Sequence, residues 1–312
     1  MNTFSRLIIA GALMSPLLAP LTLAAPAFAA TRQAHEDCDA DDPDRNIAGC
    51  TRIIDDIGEG AKMRSIALVG RGLAYDAKGD RERAGQDFTA AIALDPKNVL
   101  AYNDRAILWR EKGDPDRAIV DFTRAIEIEA LPHSDLPGSG HVNIYANRGL
   151  AWQAKGDLDR ALADFDAAIK LDPADASLHE IRASILMERH QDARALPDLD
   201  AAIRLNPSRA DNFATRGMIR YDQYAHNSRW VEQRDLDGAI SDLTEAVTLD
   251  PTNADAYYTR GLAFVMDGKR DLAAADFARA AKLKPDDAQI ARMHKQYMPR
   301  SGGPSGALAA GK

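Results

Sequence analysis

The sequence predicts an all-α fold: a right-handed solenoid of about six helix–turn–helix units, with an N-terminal cap and a C-terminal capping helix. Three observations predict it. A skeleton of residues recurs at intervals of 34 positions, as from Arg71 to Arg105 and from Arg148 to Arg182. Small and aromatic residues inside each copy follow helical spacing. Glycine–aspartate and aspartate–proline pairs punctuate the copies.

The third copy shows why such a segment folds. Tyr145, Arg148, Gly149 and Trp152 fall at i, i+3, i+4 and i+7, one face of a helix. Ala161, Asp164, Phe165 and Ala168 repeat that spacing on the next helix. Gly156 and Asp157 supply a helix stop followed by an N-cap. Pro173 ends the second helix, because proline disfavours helical geometry in the residue before it. Gly149 and Ala168 leave room that Trp152 and Phe165 fill, the interdigitation a tight helical pair requires. One pair cannot bury both its faces, so neighbouring pairs must stack.

The same skeleton appears as Arg71, Gly72, Tyr75, Gly79, Asp80, Ala84, Phe88, Ala91 and Pro96, and again around Arg105, Arg182, Arg216 and Arg260. The period of 34, the aromatic near the end of the first helix and the closing proline resemble the tetratricopeptide-repeat family. The resemblance covers residues 65 to 285. One departure is systematic: the place before the glycine, aliphatic in the family, holds arginine in every copy.

Four irregularities interrupt the frame. A linker, residues 133–141, separates the second and third copies. The fifth copy carries about ten extra residues, Asp222 to Val231, expected between its two helices; Tyr224 and Trp230 lie on it. The fourth copy has His190 where others have glycine, and Pro197 inside its second helix, expected within the first turn where proline is tolerated. Ahead of the first copy, residues 44–54 read as a second helix standing alone.

The ends suggest a compartment. Arg6, the uncharged stretch Leu7 to Leu23 and the small residues Ala27 and Ala29 read as a secretory signal peptide cleaved after Ala29. Pro16, Pro20 and the shortness of the stretch argue against a membrane anchor, and no membrane span is expected in the mature chain. The expected organisation is a signal peptide over 1–29, a cysteine-containing cap over 30–62, the solenoid and closing helix over 63–298, and a disordered tail over 299–312. Cys38 and Cys50, the two cysteines, most simply form a disulfide in an exported protein, with free thiols as the alternative. Two sulfurs alone do not make a zinc site. On the closing helix, Ile290, Met293 and Tyr297 share one face.

Composition narrows the function. The chain has 39 basic and 47 acidic residues, a net charge of −8, without a basic run. Such a protein is a poor binder of nucleic acid or anionic membranes. No phosphate loop, zinc-protease motif or serine-nucleophile motif is present, and no enzyme, cofactor or metal site is expected. His133, Asp135 and His141 match no metal-ligand spacing.

Chemistry concentrates in two sets of residues. The first is a ladder: Arg71, Arg105, Arg148, Arg182, Arg216 and Arg260, matched by Asp87, Asp121, Asp164, Asp198, Asp242 and Asp276 on the second helices. Arg148 and Asp164 stand equally far from Gly156, so a hairpin brings both to the same height, about 12 Å from the turn. The structural reading pairs each arginine with an aspartate; the functional reading is an anion-binding ladder. The second set follows from the resemblance, in which first helices line a concave groove. It comprises Glu180 and Met187, then Met218 and Tyr221, then Asp255, Tyr258 and Met266, with Glu188, Asp211 and Asp222 beside them. Methionines and tyrosines among carboxylates suit a protein or peptide partner that is apolar and basic. A cochaperone-type clamp for a terminal carboxylate does not fit, because Asn103, Asn147 and Ser177 occupy the comparable surface without lysine. The resemblance and the export signal together imply a periplasmic or secreted interaction scaffold. The alternatives are a structural or self-assembling spacer and a metal-binding or enzymatic accessory protein.

Overall fold

The structure, a computed structural model, describes residues 25–130, 139–226 and 233–298. Among the described residues every regular element is helical. The signal-peptide stretch up to residue 24 and the expected tail lie outside them. The chain divides into two compact units, Met1–Asp104 and Arg105–Lys312.

The first unit contains α1 (Ala25–Cys38), α2 (Pro43–Asp55), α3 (Ala61–Ala77), α4 (Arg81–Leu94) and the beginning of α5 (Val99–Glu111). Residues 44–54, expected as a helix standing alone, form α2 and pack against α1. α1 begins at Ala25, upstream of the expected cleavage point, and shares none of the repeat skeleton. Two features bring the pair together. Cys38 and Cys50 form a disulfide. Gly49 admits the backbone of α1, since a Cβ there would stand 2.4 Å from the Cys38 nitrogen.

The second unit continues with α6 (Pro115–Glu129), α7 (Ser139–Ala154), α8 (Leu158–Leu171), α9 (Ala176–Glu188), α10 (Asp192–Leu205), α11 (Ala210–His226), α12 (Gln233–Leu249), α13 (Ala254–Met266), α14 (Arg270–Leu283) and α15 (Ala288–Tyr297). Consecutive helices pair as hairpins, and each hairpin packs on the next. Small-against-large packing fills each hairpin. Phe122, Phe165 and Phe277 are fully buried, and a Cβ on Gly149 would come within 2.8 Å of the Phe165 ring. In the fourth and fifth copies leucine replaces the phenylalanine: Leu199 lies in the core with Ala183, and a Cβ on Gly217 would meet Leu243 at 2.8 Å. At the C-terminus α15 buries Ile290 and lays Tyr297 against Phe277, ring centroids 5.3 Å apart.

The turns follow the punctuation. Gly79, Gly113, Gly156 and Gly268 adopt φ between 74° and 81°, the left-handed geometry that ends a helix. Asp80, Asp114 and Asp157 then cap the following helix by accepting from the backbone NH three residues on. His190 occupies the same conformation with φ of 56°, and it alone among non-glycine described residues has positive φ.

Three expectations need correction. Pro197 is not in the first turn: α10 starts at Asp192, so its ring sits in the second turn and removes a helical hydrogen bond. It is tolerated because it lies on the exposed face, where the freed carbonyl reaches water. The fifth copy's extra residues do not begin as a loop. α11 runs through Tyr224 to His226, since no glycine or proline interrupts it, while Trp230 and Val231 lie outside the described residues. Finally, α7 already starts at Ser139, within the expected linker.

Two measurements check this reading. His190→Gly should raise the unfolding free energy by about 1 kcal/mol, read as a higher urea midpoint, because it removes the cost of left-handed geometry in a residue with a Cβ. Breaking the disulfide by Cys38→Ser/Cys50→Ser should lower stability by about 3 kcal/mol, because it releases a loop of that size in the unfolded chain.

Candidate functional site

The ladder arginines come from the first helix of each hairpin and the aspartates from the second. All six make the same contact: Nε and Nη2 donate to the two carboxylate oxygens at 2.6–2.9 Å. The pairs are Arg71–Asp87, Arg105–Asp121, Arg148–Asp164, Arg182–Asp198, Arg216–Asp242 and Arg260–Asp276. This two-pronged geometry is the strong form of a charged hydrogen bond. The six aspartates are only 3–6% exposed. The Asp87 carboxylate holds the Arg71 guanidinium above its ordinary range, against the opposing effect of burial. The guanidinium groups are committed to carboxylates, so an anion-binding ladder finds no free forks here.

A third arm, which sequence reasoning missed, reaches from five of these arginines back to the preceding helix pair. Nη1 of Arg71 donates to Thr51, that of Arg148 to Thr123 and that of Arg260 to Thr244. For Arg182 and Arg216 the acceptor is Asp166 or Asp200, at 2.6 Å. The signal was present: from the second copy onward, each acceptor sits two residues after a ladder aspartate. His179 was also missed as a partner. Nδ1 of this buried ring donates to Asp198 at 2.9 Å, in the place where the neighbouring copies carry Tyr145 and Phe213.

The second candidate set lies on the face of α9, α11 and α13, and the structure divides it. Glu180 is taken up within the chain, accepting from Asn212 at 2.7 Å and facing Arg209 at 3.3 Å. Asp255 is paired with Lys284 at 2.8 Å. Tyr258 packs on Phe277, and its hydroxyl accepts from Gln289 on α15. Met187 and Met218 rest, partly buried, against core clusters. Tyr221 is half-buried. Burial pushes its phenol up, and the neighbouring Asp222 carboxylate and Tyr258 phenol add to the shift. Met266 is 44% exposed. Asp211, Glu188 and Asp222 are exposed. Among the described residues no cluster of metal-ligating side chains occurs, and no helix is long and apolar enough to cross a membrane. His133 and Asp135 lie outside the described residues.

Sequence profiles of the tetratricopeptide repeat match residues 69–135 and 142–175, and a TPR-repeat profile matches residues 231–268. The chain is a tetratricopeptide-repeat protein. Solved structures share the fold. YrrB, described as a TPR protein with an unusual peptide-binding site, is 23% identical over 68% of this chain and 99% of its own, with a TM-score of 0.56. The C-terminal part of a TPR protein from Cytophaga hutchinsonii is 11% identical over 84% of this chain and 98% of its own, with a TM-score of 0.65. PilF of Pseudomonas aeruginosa is 16% identical over 74% and 97%, with a TM-score of 0.54. No curated protein matches in sequence. This TPR chain therefore builds its hairpins on an ion pair where the family carries an aliphatic residue.

Two substitutions separate the inner arm of the clamp from the outer one. Asp164→Ala should cost about 3 kcal/mol, because it strands Arg148 without its partner. Asp166→Ala should cost under about 1 kcal/mol, its side chain being 65% exposed. Replacing the inner pair by Arg148→Met with Asp164→Leu should recover most of the loss. Urea unfolding of the three variants reads all of this.

Proposed function

We propose that this TPR protein is an interaction scaffold of the cell envelope, exported on residues 1–29, that holds an apolar segment of a partner protein on the face of α9, α11 and α13. The observation that carries this reading is the state of Tyr221 and Met266. Both belong to helices whose opposite sides already fill the core, yet one is half-buried and the other exposed. A partly desolvated tyrosine beside a flexible methionine contributes much binding area at low entropic cost.

The internal ion pairs refine the partner's chemistry. Glu180 and Asp255 are neutralised by Arg209 and Lys284, so a basic partner would be met by Glu188, Asp211 and Asp222 instead. The apolar element is the better supported half of the expectation. Export is supported by the signal-peptide pattern and by the disulfide, which persists in oxidising compartments. No enzymatic role is part of this reading.

Affinity capture from an envelope extract, using the mature chain as bait, tests the reading. A captured protein should bind Tyr221→Ala/Met266→Ser about tenfold or more weakly, while helicity and melting temperature stay unchanged. Equal affinity for that variant would remove the face from consideration, and light scattering that grows with concentration would favour a self-assembling spacer. Mass spectrometry of exported protein should find the chain beginning at Ala30.

A further inference from the structure

The disulfide stands where the ladder hairpins carry their clamp. α2 keeps the frame of a second helix. Asp42 caps it seven residues before Gly49, as Asp80 caps α4 seven residues before Asp87. Thr51, two residues after Gly49, accepts from Arg71, as Thr123, two residues after Asp121, accepts from Arg148. Asp44 pairs with Lys78, as Asp116 pairs with Lys155 and Asp159 with Arg189. Gly49 therefore holds the place of a ladder aspartate, and Cys50 that of Phe88 or Phe165. On α1, Gln33 holds the place of the arginine. No ion pair can form between Gln33 and Gly49. The bond between Cys38 and Cys50 joins the two helices instead.

The other ties of α1 are weaker. Asp37 receives Arg45 and Arg52 of α2, both at least half exposed, and His35 meets Glu59 at 3.1 Å. Pairs with exposed partners contribute little to stability. The disulfide is reachable from one side, since Cys50 is fully buried and Cys38 only partly. Its surroundings also suit a reduced sulfur. Three residues before the ladder aspartate, all six hairpins have a fully buried alanine, as at Ala84 and Ala161. α2 has Asn46 there. The Asn46 amide donates to the Cys38 carbonyl, and its Oδ1 lies 3.4 Å from Cys50 Sγ. A thiol at Cys50 thus has an acceptor that the alanine of the other hairpins would not supply.

We propose that Cys38–Cys50 is a redox latch, opened by a dithiol reductant, which frees α1 while the six ladder hairpins stay folded. The first thiolate of the reductant attacks Sγ of Cys38, the more exposed sulfur. The sulfur–sulfur bond breaks as a mixed disulfide forms, and the electron pair leaves on Cys50 Sγ. That sulfur takes up a proton and donates it to Asn46 Oδ1. The second thiolate then displaces Cys38, which is protonated in turn, and the reductant closes its own disulfide. Two electrons and two protons pass to the protein; a disulfide oxidant reverses the sequence. Release of α1 removes Ala34 from the cluster it shares with Cys50, Ile53 and Ala67, so the redox state decides whether the array ends capped. The ladder hairpins are unaffected, because each is closed by its own ion pair and none contains a cysteine.

The test treats the full mature chain with dithiothreitol in native buffer and follows thiol alkylation by mass spectrometry together with amide hydrogen exchange. Two thiols should appear, and the amides of residues 34–38 should exchange about tenfold or more faster. Exchange in α4 and every later helix should stay as it was, with circular dichroism losing no more than the share of α1. Removing the dithiol and adding oxidised glutathione should restore slow exchange. Cys38→Ser/Cys50→Ser should show the fast exchange of residues 34–38 without any reductant and no response to dithiothreitol. A bond that resists dithiothreitol until urea is added would overturn the proposal, as would a reduced protein whose α1 amides stay protected. Faster exchange throughout the array on reduction would show a staple of the whole fold in place of a latch, and failure to reoxidise would exclude a switch; either result overturns it too.

Discussion

A guanidinium fork closed on a carboxylate stands at mid-height in every hairpin, and the register of the two helices depends on it. Shape alone leaves a helical pair free to slide by small amounts, because alanine and glycine grooves accept a phenylalanine over a range of heights. Two parallel hydrogen bonds between Arg148 and Asp164 do not tolerate such sliding. With the aspartate nearly excluded from water, a misaligned hairpin would carry an unpaired charge, so the pair penalises wrong registers more than it stabilises the right one. The small residue beside each arginine then meets its large partner at a fixed height, as Gly149 meets Phe165.

The remaining nitrogen extends that constraint along the array. Each Nη1 in the second unit for which a partner is resolved reaches back to a threonine or an aspartate on the second helix of the preceding hairpin. One residue type at one place thus sets both the fold of a hairpin and its seat on its neighbour. Stability in a repeat array is a sum of internal and nearest-neighbour contributions. Here the same side chain contributes to both, which couples them more tightly than packing alone would.

The hairpins and the ladder were legible in the sequence because both depend on separations within one repeat. Arg148 and Asp164 are equidistant from Gly156, and antiparallel helices convert equal distances into equal heights. What crosses between repeats was less legible. Glu180 reads as a free groove carboxylate until Arg209, from the stretch preceding α11, is placed beside it, and Lys284 captures Asp255 in the same way. α1 escaped notice because nothing in its composition repeats; its position comes from a disulfide and from the bare backbone at Gly49. Pro197 was misplaced by a few residues, since the start of α10 is set at Gln191, which offers no side-chain cap to mark it.

A repeat also supplies its own control for deciding which side chains serve the fold. Places that bury the same residue type in successive copies, such as Phe122 and Phe165, are demanded by the backbone they share. Places that differ while the backbone stays the same are not. Ile66 and Leu73 on α3 correspond to Ser177 and Ser184 on α9, yet both helices sit in hairpins closed by the same ion pair. The serines show that one hairpin, that of α9, closes without aliphatic residues there. The comparison separates the two places: that of Leu73 is also apolar at Ile107, Leu150, Met218 and Leu262, and Leu150 and Leu262 pack against core clusters, so only α9 departs from it.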